Sequence, residues 1–340
     1  MIMMHNYFHL ILPAPGENEF SYSFDTFLNF QQLILEFPGR FFRYSFSYFG
    51  HYGVQLFVFI SAYGLYKSFD QKPSGYVQFL KKRVLKLYPT LVIAIFFEFF
   101  FLLLRNHTIT GYELKSTLFK LSLIFNLVPG QALAVNGPWW FFSLIFQFYL
   151  IFPVLFWCTK KYGSPFLIII SISAMVLEYF INPFLVAHHL NLNFTVLGHL
   201  EVFSLGIFMA YRNKTKFSWW LIPVCLAIFA FGNYNRAIWI LSFIAITIIM
   251  IQGYSLIASR IKKENIFHNF FLHAGSISLF LFVVQGMVRH PLVDIAGKYN
   301  LTWLTMLLCG IYLSMVYIVS FLLKIIEEFV QRKIGKRLKI

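Results

Sequence analysis

Residues 81–105 read KKRVLKLYPTLVIAIFFEFFFLLLR. Between Leu87 and Leu104 the only acidic or basic side chain is Glu98. A helix needs about 20 predominantly apolar residues, with a range of about 17 to 25, to cross the hydrocarbon of a bilayer. Four cations, Lys81, Lys82, Arg83 and Lys86, stand at one end of the run, and Arg105 stands alone at the other. Cationic residues gather on the cytoplasmic side of a membrane span. The stretch therefore predicts a transmembrane helix that begins inside and ends outside.

The rest of the chain follows the same pattern. Hydrophobic residues make up 59% of the 340, charged residues 12%, and the mean hydropathy is +0.69. Soluble domains carry about 25% charge, so most of this chain is not built to face water. Spans are read near 1–12, 51–66, 87–104, 138–158, 165–181, 194–211, 217–232, 237–257, 269–288 and 301–323. The fold class is all-α, a polytopic transmembrane bundle of about ten spans in a single domain over 1–340. The first span is too short, and the helix is expected to lack its beginning. Two long loops, about 13–50 and 105–137, lie outside. Each holds a moderately apolar stretch, Phe27 to Phe37 and Leu118 to Val128, expected to form interfacial or re-entrant helices.

Charge bears on topology rather than on nucleic acid. The net charge is +15, but the cations punctuate lipid-length spans instead of covering one water-facing surface. Alternate connections hold Lys67, Lys72 and the 81–86 cluster, then Lys160 and Lys161, then Arg212, Lys214 and Lys216, then Arg260, Lys262 and Lys263. The tail 324–340 adds Lys324, Arg332, Lys333, Lys336, Arg337 and Lys339. Only Arg40, Arg43, Arg105, Lys115, Lys120, Arg236, Arg289 and Lys298 remain, out of 28 basic residues, for the other side. Both termini and the basic tail are thus expected in the cytoplasm. The three cysteines, Cys158, Cys225 and Cys309, stand alone in apolar segments and suggest neither disulfide nor zinc site.

An ionisable side chain inside a membrane is costly and marks a functional candidate. Five stand out: His5, Glu98, Glu178, His199 and Glu201. Counted at 1.5 Å per residue, all five fall in the outer half of the bilayer. A polar cavity opening outward would gather them. His9 shares a helix face with His5 at i+4. Such a pair can bind metal, but no glutamate-containing zinc motif accompanies it, and no metal is expected.

Five motifs then occur in order. Residues 4–9 read MHNYFH; residues 50–63 read GHYGVQLFVFISAY; residues 79–89 read FLKKRVLKLYP. Trp140 leads through Gln147, Phe148 and Tyr149 to Pro153, and Gly275-Ser276-Ile277-Ser278 follows late in the chain. This succession resembles acyltransferase family 3, a group of bacterial membrane proteins, over nearly the whole chain. Ala62 stands where the family has glycine, Ile145 and Phe146 where many members have an acidic pair, and Gln285 where many have histidine. The family's arginine some ten residues before the first histidine would precede Met1. The subgroup and the acceptor stay open.

The resemblance implies transfer of an acetyl or other acyl group from cytoplasmic acyl-CoA to a hydroxyl of a cell-surface glycan or lipid-linked sugar, in the bacterial cytoplasmic membrane. Acetyl-CoA would be the donor substrate. A hydroxyl nucleophile needs a base that works near neutral pH, for which histidine is suited. His5 is the expected base, with Glu98 or Glu201 to orient it and His9 to share the work or line the entrance. Lys81, Lys82, Arg83 and Lys86 are expected at the donor's phosphates, since arginine binds phosphate through two hydrogen bonds and lysine as a point charge. The same cations equally serve topology and anionic lipid. A transporter or flippase, and a non-catalytic membrane subunit, are the rival readings.

Overall fold

The computed structural model describes residues 1–106, 108–260 and 265–338. Lys262, Lys263 and Lys339 lie outside the described residues, as do the side chains of Arg105, Lys333, Lys336 and Arg337. Helices follow one another along the chain, and no strand occurs among the described residues. The first group is α1 (Ile2–Phe8), α2 (Phe24–Glu36), α3 (Phe41–Phe49), α4 (Gly53–Gln71), α5 (Tyr76–Asn106) and α6 (Gly111–Leu121). Next come α7 (Trp140–Tyr162), α8 (Ser164–Ala187), α9 (Leu200–Tyr211), α10 (Leu221–Gly232) and α11 (Arg236–Arg260). The last are α12 (Ile266–Ser276), α13 (Ser278–Val288), α14 (His290–Tyr299) and α15 (Thr302–Leu338).

Among the described residues, five helices are long and apolar enough to cross a membrane: Tyr76–Leu104, Gly137–Tyr162, Ser164–Ala187, Arg236–Arg260 and Thr302–Arg332. The pair α12 and α13 brings the number to six if the two are one broken span. Helices stand at the other expected spans but are shorter or less apolar. α9 and α10 have 12 residues each, about 18 Å of helix against a hydrocarbon core of about 30 Å. α4 reaches 19 residues, but Gln55, Lys67 and Asp70 dilute its apolar character. The helix expected at 269–288 is bent: α12 and α13 meet at an angle of 77°, with Ile277 of the Gly-Ser-Ile-Ser motif at the corner.

Lipid is the solvent that these surfaces fit. Ile168, Ile169, Ile172, Phe180 and Phe184 of α8 are each more than half exposed. Side chains of that kind face water at a cost and face acyl chains at none. The chain is a multi-pass membrane protein. Its interior is filled by the aromatics that the composition announces; Phe148 of α7 lies flat on Phe203 of α9, with ring centres 3.9 Å apart.

Both apolar loop stretches contain helix. Phe27 to Phe37 falls on α2, whose Phe27, Phe30 and Leu33 pack on Tyr44 and Tyr48 of α3. Ser23 caps α2 by accepting from the Thr26 amide. α6 opens with a full capping box between Thr110 and Glu113, a pairing that satisfies two orphan amides at once. Leu118 to Val128 begins on α6 and ends in a short 3-10 turn over Phe125–Leu127.

Candidate active site

α1 is placed by close approach, and the segment that follows it is held by an arginine. An added Cβ at Gly50 would lie 2.5 Å from the Cβ of His5, so only glycine lets α1 lie this near the turn before α4. Arg43 of α3 donates to the carbonyls of Ile11 and Pro13, the latter at 2.9 Å, and to Oδ1 of Asn300 at 3.0 Å. It thereby fastens the segment just after α1 to α3 and to Asn300 before α15.

That loop turns back on α1. Gly16 has a φ of +86°, a left-handed conformation open mainly to glycine, and the reversal returns Glu17 and Glu19 to His5. Asn18 anchors the returning strand of chain: its Nδ2 donates to the Tyr48 hydroxyl at 2.7 Å, and its Oδ1 accepts from the Ser23 amide at 3.0 Å. Phe20 packs against Trp140 and Phe194.

His5 is buried. Its Nδ1 lies 2.9 Å from the Ser47 carbonyl oxygen. A carbonyl only accepts, so Nδ1 carries a proton. Nε2 then faces Glu17 at 3.0 Å and Glu19 at 3.6 Å. Burial works against the Glu17 carboxylate, but the hydrogen bond and charge of His5, with His9 and His51 adding, hold it at about 2. For Glu19 burial dominates; with the Glu17 charge it pushes the acid up to about 7 in spite of His5. His9 donates from Nδ1 to the His5 carbonyl at 2.7 Å, and the two imidazoles stack with centres 4.8 Å apart. His51 sets its ring edge-on to His5 at 5.6 Å.

A cavity of about 360 Å³ collects these groups. His5, Asn6 and His9 line one wall, Glu17, Glu19 and Phe20 another, and Glu98 and Leu102 of α5 a third. Leu133, Val135, Gly137, Pro138 and Trp140 add to it, as do Arg289 and His290. Glu98 accepts from Nδ2 of Asn136 at 2.8 Å. Arg289 donates to both oxygens of Asn6, at 3.2 and 3.3 Å. Lys120 lies fully buried beneath the same loop. It donates to the carbonyls of Gln131 and Ala132 at 3.0 and 3.2 Å and sits 3.9 Å from the centre of the Phe125 ring. Burial pushes its pKa down to about 7, the Glu98 charge opposing. Lys120→Ala is expected to destabilise the protein by about 1–3 kcal/mol through the orphaned carbonyls. Thermal unfolding in detergent reads this as a lower midpoint.

Of the five intramembrane candidates, the cavity therefore gathers His5 and Glu98, and His9 joins them. Glu178, His199 and Glu201 lie elsewhere. His199 is buried between Gln55 and the Asn193 carbonyl, with Trp140 stacked on its ring. Glu178 meets the amides of Asn182 and Asn193. Glu201 is buried in the first turn of α9, off the cavity wall. The expectation that Glu98 or Glu201 orients His5 is corrected: a backbone carbonyl does so at Nδ1, and the carboxylates at Nε2 are Glu17 and Glu19. The loop supplies them because its reversal at Gly16 carries it back over α1. Lys81, Lys82 and Lys86 are exposed on the first turns of α5, and Arg83 is half-buried over the rings of Phe79 and Tyr149. Between Arg83 and Glu98 the helix rises about 22 Å, so the cations and the cavity occupy opposite ends of α5.

No curated protein and no solved structure matches the chain. Residues 1–325 do match the acyltransferase domain. That span takes in every element that builds the cavity, from α1 to His290, and α15 as far as Ile325. The motif order and this match agree, and the chain belongs to acyltransferase family 3.

Proposed function

We propose that the protein moves an acyl group, acetyl in the simplest case, from acyl-CoA to a hydroxyl of a glycan or lipid-linked sugar. The donor meets the chain at the cytoplasmic face of a bacterial cytoplasmic membrane, and the acceptor reaches the cavity from outside. The observation that carries this reading is His5: Nδ1 is fixed on the Ser47 carbonyl, and Nε2 faces a cavity beside two carboxylates.

In this reading the Nε2 proton shared with Glu17 is first given up to the Glu19 carboxylate, and the freed Nε2 takes the acceptor's hydroxyl proton as the oxygen attacks the thioester carbonyl carbon. The Glu17 carboxylate offsets the charge of the imidazolium that forms. The C–S bond then breaks, the imidazolium returns its proton to the leaving sulfur, and an ester and a free CoA thiol result. This is the histidine logic of acyl transfer with a carbonyl in the orienting role. Glu98, held by Asn136, and Arg289, held by Asn6, are placed to bind the polar parts of the substrates. His9 lines the approach to His5. Glu201 has no part in the transfer, being off the cavity.

The four cations at the other end of α5 hold the donor's phosphates, and the pantetheine arm spans the distance to the cavity. Changing Lys82 and Arg83 together to Gln is expected to raise the KM for acetyl-CoA roughly tenfold or more, since a charge-assisted hydrogen bond is worth about 1.5–3 kcal/mol. An unchanged KM would leave these residues as topology signals alone.

A further inference from the structure

The cluster at the head of the cavity has a second chemistry. His5, His9 and Glu17 each offer a ligand atom, and these atoms all lie within 4.8 Å of one another. We propose that these three side chains form a binding site for a divalent transition-metal ion, zinc in the first place, and that the metal-bound protein is the inactive one.

Three features support a built site. The first is orientation. Metal-binding histidines almost always donate their other ring N–H to a carbonyl or carboxylate, which fixes the tautomer. Here both do: Nδ1 of His5 to the Ser47 carbonyl at 2.9 Å, and Nδ1 of His9 to the His5 carbonyl at 2.7 Å. Nε2 is then the ring nitrogen that would coordinate, at His5 in exchange for the proton it shares with Glu17. The second is spacing. Ligand atoms held tetrahedrally at about 2.0–2.1 Å from zinc stand roughly 3.3 Å apart. His5 Nε2 and Glu17 Oε2 are already 3.0 Å apart. The widest separation, at most 4.8 Å, must close by about 1.5 Å. The third is the open coordination position. Two imidazoles and one carboxylate are the ligand set of hydrolytic zinc sites that keep a fourth position free, and here that position faces the cavity, with Glu19 Oε2 at 3.6 Å from His5 Nε2. Two nitrogens select zinc, copper or nickel over magnesium and calcium, which take oxygen.

Inhibition follows from the lone pair, and this half rests on the assignment of His5 as base. Once its proton is lost, Nε2 has one lone pair in the plane of its ring. A metal that takes it removes the acceptor for the hydroxyl proton. The site would thus report extracytoplasmic zinc to the enzyme.

The test separates the two halves. Tag-free protein is purified in detergent, stripped with EDTA and titrated with Zn²⁺ by calorimetry. One ion per chain is expected, with no heat from Mg²⁺ or Ca²⁺, and His9→Gln and Glu17→Gln should each weaken binding at least tenfold. Co²⁺ on the unaltered protein should give the d–d absorption of a four-coordinate site, a readout that does not need any variant to fold. No zinc binding, or equal affinity in both variants, overturns the site. Stoichiometric zinc that leaves acetyl transfer undiminished overturns the inhibition, and EDTA should reverse the loss if it stands. Inactivity of His5→Ala is measured without metal, so a failure of the base assignment shows separately.

Discussion

Replacing His5 with alanine is expected to lower acyl transfer by about 10²–10⁴-fold, the range that a positioned acid–base group contributes. The measurement is release of CoA, or label transferred from acetyl-CoA, in membranes where the variant is expressed at the level of the parent. The reason is local. A sugar hydroxyl holds its proton tightly, and His5 is the cavity-lining imidazole whose tautomer a buried carbonyl fixes from another element. His9 has the same tautomer, but its carbonyl is its own helix's, and its ring stands outside the contact with both carboxylates that His5 makes. Glu17→Gln should follow with a smaller loss, because the base remains and only the stabilisation of its charged form is removed. That ordering separates a base from a packing residue. If His5→Ala retains parental activity, the reading of the cavity fails; if Glu17→Gln alone is inactive, the carboxylate and not the imidazole is the proton acceptor.

Part of this cavity is legible in the sequence alone. His5 and Glu98 stood out because each interrupts an apolar run, and an interruption inside lipid demands a partner. His9 followed from helical spacing. Glu17 and Glu19 carry no such signal, because acids in a polar loop are ordinary. The available signal was the run Pro13-Ala14-Pro15-Gly16 directly before them. Turn-forming residues just after a span reverse the chain, and a reversed loop lays its next residues on the helix it left. Arg289 reads as a topology residue, and no local pattern ties it to Asn6, 283 residues earlier.

The spans show the same division. α5 could be read end to end, since its apolar length and flanking charge agree. α9 and α10 could be read as apolar but not as short, because the turns that trim them, such as the 3-10 turn Val196–His199 before α9, are themselves apolar. The corner at Ile277 was hidden for a similar reason. Gly275 and Ser276 permit a break without requiring one, and the packing of α13 against α15 and α5 decides it.

The second large effect is expected from the smallest change, Gly50→Ala. The new methyl group would meet the Cβ of His5 at 2.5 Å, and the His5 Cα at 3.2 Å. Neither neighbour is the far end of a flexible side chain. α1 must therefore retreat by about 1 Å to restore ordinary contact, and a misplacement of that size at a reacting group costs about 10²-fold in rate. The thermal cost should be modest by comparison, about 1–3 kcal/mol for overpacking, so the variant should still fold and be measurable. Gly39→Ala is the matching control, because a Cβ there meets nothing within 4 Å. The contrast bears on why glycine occupies position 50. If backbone freedom were the reason, a positive φ would be needed, and Gly50 has φ −67°, which alanine adopts readily. Space for His5 is then the remaining reason, and the prediction follows from it: activity falls with the volume added at position 50, alanine before valine, while Gly39→Ala stays at the parental level. Full activity in Gly50→Ala would mean that this contact does not set the position of His5.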